Sequence, residues 1–180
     1  MAMSSSAGMT FSSDAAIDTY ITGLKNAHAL EKQATQLLER QLERIETYPE
    51  VEAVLRTHLR ETEEQIRRID ELLHSFGEDR SLLKDLATQF SGNMAAIAHS
   101  VMQDEILKNH FANHAFENFE IASYVSLITM AEATGHNGHV SALQATLREE
   151  EKTAQILRDM TPDLTLKFMR LSEQGAKADR

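Results

Sequence analysis

The sequence predicts an all-α protein: a four-helix bundle of two antiparallel helical hairpins, with a helical crossover between them and a short C-terminal helix. Three observations lead there. Only two prolines and seven glycines interrupt 180 residues, and tryptophan is absent. Ala, Leu, Glu, Gln and Arg, all good helix formers, fill the long stretches. Apolar residues recur at three- and four-residue steps, which lays a greasy stripe along one side of each helix.

Ser12-Ser13-Asp14 offers an N-cap. From Ala15, the positions Ile17, Tyr20, Leu24, Ala27, Ala34, Leu38, Leu42 and Ile45 mark a first helix expected to end near Thr47. Tyr48-Pro49-Glu50 breaks the chain and suits the first turn of a second helix. That helix runs through Val51, Leu55, Leu59, Ile66, Ile69, Leu72 and Phe76 to a stop at Gly77. So short a loop makes the two helices antiparallel neighbours. A weaker pattern from Leu82 to Val101, broken at Ser91-Gly92-Asn93, reads as the crossover. The third helix is expected from about Asp104 to Ala133 and ends at Gly135-His136-Asn137-Gly138. The fourth follows from about His139 to Met160, and Pro162 opens a final short helix through Leu171. Residues 1–13 read as a disordered leader, 14–174 as one domain and 175–180 as a tail. Two hairpins joined by one crossover is a ferritin-like layout.

Composition narrows the chemistry. Without cysteine there are no disulfides, zinc ribbons, iron–sulfur clusters or thiol nucleophiles, so a metal must sit on oxygen and imidazole ligands. A net charge of −10, from 28 acidic and 18 basic residues, argues against nucleic acid or an anionic membrane as partner and favours a cation. No apolar run approaches the roughly 20 residues that cross a bilayer. The first residues lack the basic start and apolar core of a secretory signal, so a cytoplasmic protein is expected.

Four carboxylates fall on the wrong face. Glu31 projects among Tyr20, Leu24, Ala27, Ala34 and Leu38, in the middle of the first helix's apolar stripe. Glu120 lies among Phe116, Tyr124, Leu127 and Ala131, and Glu150 among Leu143, Leu147, Ala154 and Leu157. Glu61 lies at the edge of the second helix's stripe, beside the polar His58, Thr62 and Gln65. Glu31 and Glu61 are thirty residues apart, as are Glu120 and Glu150, so each pair is placed evenly about its turn and should meet at one level. Buried ionised carboxylates cost several kcal/mol each and repel one another. The lysines and arginines mostly point away from these stripes. Two divalent cations, iron or manganese, would balance four carboxylates in the manner of a di-metal bundle.

The stretches Ala29-Leu30-Glu31-Lys32-Gln33, His58-Leu59-Arg60-Glu61-Thr62, Phe119-Glu120-Ile121-Ala122-Ser123-Tyr124 and Leu147-Arg148-Glu149-Glu150 resemble the YciE/YciF family of ferritin-like bacterial stress proteins. The resemblance runs from about residue 15 to 160, and its most specific part is Glu120-Ile121-Ala122-Ser123-Tyr124. It implies a fold similar to rubrerythrin and ferritin and a homodimer. The usual di-iron pattern has Glu-x-x-His on two helices; here Glu64 follows Glu61 and Thr153 follows Glu150 at that spacing. Asn118 and Glu63 stand where some relatives have histidine. A nearly all-oxygen site, with His58 as its nitrogen ligand, would suit manganese as well as iron.

Other residues carry paired readings. His58 and His28 each precede a glutamate by one turn, as ligands or orienting groups of the metal site or as ordinary core histidines. Glu117, one turn before Glu120, is either a further ligand or a surface residue. His110 and His114 have clamp spacing but lie off the apolar stripe, which favours a solvated or subunit-contact pair. Tyr124 sits one turn beyond Glu120, where it would bond a ligand carboxylate, carry a radical, or serve as a core tyrosine. The outer members of Glu149-Glu150-Glu151 read as solvated. The chemistry expected is that of a di-metal oxidoreductase acting on peroxide or oxygen, with Tyr124 as its catalytic residue. The alternative is a non-enzymatic metal-binding or structural stress protein.

Overall fold

The computed structural model describes residues 10–77 and 105–179. They form four helices: α1 (Asp14–Arg44), α2 (Pro49–His74), α3 (Glu105–Ala133) and α4 (Asn137–Glu173). The crossover expected over Leu82–Val101 lies outside the described residues. Packing is most extensive within the hairpins α1/α2 and α3/α4, with α1 also against α3 and α2 against α4. This is the expected bundle, with α1 and α4 on one diagonal.

Local signals set most boundaries. The Ser13 hydroxyl accepts a bond from Ala16 N at 3.3 Å and caps α1. Pro49 opens α2, where its missing amide costs nothing. Gly135, at φ 78°, ends α3 by letting His136 N reach back to the Ala131 carbonyl at 2.8 Å. The α1 helix stops at Arg44, short of the expected Thr47. Arg44 is held there by two bonds of 2.6 Å to the Glu105 carboxylate at the start of α3.

Pro162 does not open a separate helix. The α4 helix runs through it without a break to Glu173, which corrects the expected short C-terminal helix. A proline inside a helix costs about 3 kcal/mol through its lost hydrogen bond and ring clash. The residues beyond it offset this: Leu164 is buried, and Phe168 and Leu171 pack with it on Leu38, Tyr48, Val51, Leu55 and Ile106. Past α4, the chain folds back along the body. The Tyr48 hydroxyl donates to the Ala178 carbonyl at 2.6 Å, and Ile106 N donates to the Asp179 carbonyl at 2.9 Å.

The core comes in layers. At the α3–α4 turn, Tyr20, Leu24, Ile69, Leu73, Tyr124, Leu127 and Leu143 form one apolar cluster. The Leu38–Tyr48–Leu55 cluster fills the α1–α2 end. Between them lie buried polar side chains from every helix: Glu31; His58, Thr62 and Gln65; Glu117 and Glu120; Thr146, Glu150 and Thr153. Phe116 is buried against Leu30 and Ala34, whereas Phe111 and Phe119 are about half exposed. Among the described residues, no helix is long and apolar enough to cross a membrane.

Candidate metal centre

Helical periodicity builds the polar layer. Along α3 one buried line runs through Ile106, His110, Asn113, Glu117, Glu120, Tyr124, Leu127 and Ala131, at alternating four- and three-residue steps. Along α2 the corresponding line is Leu55, His58, Thr62, Gln65 and Ile69. Side chains on such a line face one neighbour. The result is one inward ligand from α2, two from α3 and one from α4.

His58, Glu117, Glu120 and Glu150 each offer one ligand atom, and these atoms all lie within 4.8 Å of one another. All four residues are at most 2% exposed. His58 Nε2 is 3.0 Å from Glu117 Oε1 and 4.0 Å from Glu150 Oε2. The other ring nitrogen, Nδ1, lies 3.4 Å from the Thr153 hydroxyl. Thr153 stands where a Glu-x-x-His motif would have histidine, and in this chain it steadies a histidine from the facing helix. Glu31, from α1, is 1% exposed and accepts a bond from the Tyr124 hydroxyl through Oε1.

The centre is short of positive charge. Glu31 Oε2, Glu117 Oε2, both oxygens of Glu120 and Glu150 Oε2 are buried without a hydrogen-bond partner. Burial pushes the Glu31 and Glu117 carboxyls up to about 8. For Glu31 the charge of Glu150 adds to this and the Tyr124 bond opposes it. Glu120 and Glu150 are raised well above the usual carboxylate range, first by burial, then by neighbouring glutamates. Burial and the adjacent Glu31 likewise raise Tyr124, whose hydroxyl stays protonated. Orphaned buried oxygens in a set of carboxylates and one imidazole fit a divalent cation, which would supply the missing charge. The cluster can coordinate one metal ion.

Of the residues singled out in the sequence, the structure brings His58, Glu120 and Glu150 together, and Glu31 adjoins them electrostatically. Glu117, left open between ligand and surface, belongs to the cluster. Glu61 lies outside this group of four, although its charge acts on Glu117. It sits one step off the buried line of α2, at the rim, and accepts a bond from Lys152 Nζ at 2.9 Å. Glu64 pairs with Arg67 on the surface. His28 Nε2 lies 3.2 Å from Asp70 Oδ1. His110 is buried rather than solvated, with Nε2 3.0 Å from the Thr161 hydroxyl of α4. The His114 carbonyl accepts a bond from Asn118 on the exposed side of α3. Glu149 is only partly solvated and pairs with Arg68 and Gln65.

The family model described as a domain of unknown function, DUF892, matches residues 15–170. Protein YciF of Escherichia coli strain K12 is 31% identical over 150 residues, covering 79% of this chain and 88% of that protein. The crystal structure of the E. coli stress protein YciF superposes with a TM-score of 0.66 at 27% identity, over 84% of this chain and 97% of that one. A crystal structure of a protein from Xanthomonas campestris pv. campestris has a TM-score of 0.74, covering 88% and 99% of the two chains; at 23% identity it supports the fold alone. The chain therefore belongs to the DUF892 family, the YciE/YciF-type ferritin-like stress proteins that its glutamate-bearing segments resemble.

Proposed function

We propose that the polar layer is a di-metal centre holding two divalent cations, iron or manganese, and that it reacts with peroxide or oxygen. The observation that carries this reading is the set of five buried carboxylate oxygens without partners, gathered beside His58 from three different helices. His58, Glu117, Glu120 and Glu150 would hold one ion, and Glu31 with the shared carboxylates would hold the second. Bound iron or manganese would supply the redox chemistry by cycling between two oxidation states.

The protein's own groups do the rest. Carboxylates swing between one- and two-oxygen binding and stabilise a higher metal charge. The Tyr124 hydroxyl donates a hydrogen bond to Glu31 Oε1 and so orients that carboxylate; we assign Tyr124 the catalytic role. The apolar clusters above and below the layer exclude bulk water, and complete burial of the ligands restricts entry to small oxidants. The chain has no cysteine and hence no rubredoxin-like donor, so electrons come from a separate protein or the reaction is a dismutation of peroxide. We place the protein in the cytoplasm as a homodimer, with the region around exposed Phe111 as a contact surface.

A closed site with fully buried ligands also suits a second reading, an ion kept for stability without turnover. Metal loading followed by a peroxide assay separates the two. Peroxide loss that scales with bound metal and disappears in Glu120→Ala supports the oxidoreductase. A large melting shift without peroxide loss supports the structural ion.

A further inference from the structure

Between α2 and α4, a row of side chains joins the buried glutamates to the protein's rim. Gln65 is fully buried, and its Nε2 donates to Glu150 Oε1 and, at 3.0 Å, to Glu149 Oε2. Two carboxylate neighbours require the nitrogen end of the amide to face them, and both of its hydrogens are used. Glu149 is itself gripped by Arg68, whose Nη1 and Nη2 donate to its two oxygens at 2.6 and 2.9 Å. Arg68 Nη1 also reaches the Thr146 hydroxyl at 3.3 Å. Gln65 and Arg68 are one turn apart on α2, so one helix face presents both donors to the adjacent residues Glu149 and Glu150.

The consequence for Glu150 is geometric. Oε1 is engaged by the amide, while Oε2 has no partner and lies on the His58 side. Oε2 is therefore the oxygen with its full acceptor capacity left for a ligand. The donor is also neutral: a lysine or arginine here would satisfy Glu150 with a full charge and compete with any cation, whereas an amide orients the carboxylate and leaves its negative charge in place. Gln65 keeps its own Oε1 buried without a partner, a cost that leucine would avoid.

We propose that Gln65, locked by Glu149 and Arg68, is a positioning residue that fixes Glu150 as a single-oxygen ligand and thereby sets the cation affinity of the centre. This rests on the metal reading above. Without the amide, Glu150 would be free to turn and offer both oxygens, changing the coordination shell as well as its strength.

The test uses the full chain and Mn(II), with affinity measured by calorimetric titration, the coordination shell by electron paramagnetic resonance of the bound ion, and folding by circular dichroism. Gln65→Leu should retain its helices, bind Mn(II) at least ~10-fold more weakly and give an altered spectrum, as loss of an outer-shell partner does. Glu149→Gln keeps an acceptor for Gln65 but loses the charge gripped by Arg68; it should show a smaller change in the same direction. If the wild type binds Mn(II) and Gln65→Leu matches it in affinity and spectrum, the positioning role is overturned and the metal centre stands. Should the wild type bind neither Mn(II) nor Fe(II), both fall together. If Gln65→Leu does not fold, Glu149→Gln decides, and an unchanged spectrum and affinity there overturn the proposal.

Discussion

Stability of the metal-free protein should fall as pH rises. Glu31 and Glu117 are held up to about 8 by burial, against 4.5 for a free glutamate. Between those values the folded chain keeps protons that the unfolded chain has released, so raising the pH favours unfolding. The contribution is fully present below pH 4.5 and is lost as pH rises through 8. One such group carries about 1.4 kcal/mol per pH unit, or ~5 kcal/mol over the whole range. The cleanest window is pH 6.5 to 8. His110 and His139, which burial lowers from 6.5, act with the opposite sign, and their effect fades as pH rises above 6.5. Across that window one group costs ~2 kcal/mol, which for a chain of this size lowers the melting temperature by ~4–8 °C. Thermal melts in chelator at half-unit pH steps measure it directly. Glu117→Gln should flatten the slope, and saturating Mn(II) should abolish it, because the ion takes the place of the protons. A melting temperature that is constant or rises from pH 6.5 to 8 in chelator would refute the burial of uncompensated carboxylates.

Pro162→Ala should raise the melting temperature, since Pro162 is exposed within continuous α4 and Ala restores an amide at the cost of no packing; the gain expected is ~1–3 kcal/mol by denaturant titration. Tyr48→Phe, which removes the bond to the Ala178 carbonyl from a fully buried hydroxyl, should cost ~1–2 kcal/mol in the same titration and speed proteolysis of the last residues. Tyr124→Phe should leave metal stoichiometry unchanged but slow any peroxide reaction, because Glu31 would lose its orienting donor.

The four helices were legible because their apolar stripes are long and the turns at Tyr48-Pro49 and Gly135 carry explicit stop signals. Pro162 misled because local propensity was overridden by packing of Leu164 and Phe168 beyond it. Glu31, Glu120 and Glu150 stood out as isolated charges among apolar residues. Glu117 did not, because its neighbours on the buried line of α3 are the polar His110, Asn113 and Glu120, and a stripe traced only through apolar residues passes it by. Tracing the four- and three-residue steps without regard to polarity finds it. The same rule selects His58 over Glu61 on α2, since 55, 58, 62, 65 and 69 keep step and 61 does not. The Gln65–Glu149–Arg68 row has no sequence signature, because it depends on how α2 and α4 are set against each other.

If the buried glutamates hold cations, elemental analysis of protein purified without chelator detects them, alongside Glu120→Ala, whose native carboxylate has both oxygens buried and unpartnered. The expected result is stoichiometric iron or manganese in the wild type and its loss from a variant that keeps its helical circular dichroism. Metal-free wild type that takes up neither ion on loading, or full retention of metal by Glu120→Ala, would contradict it.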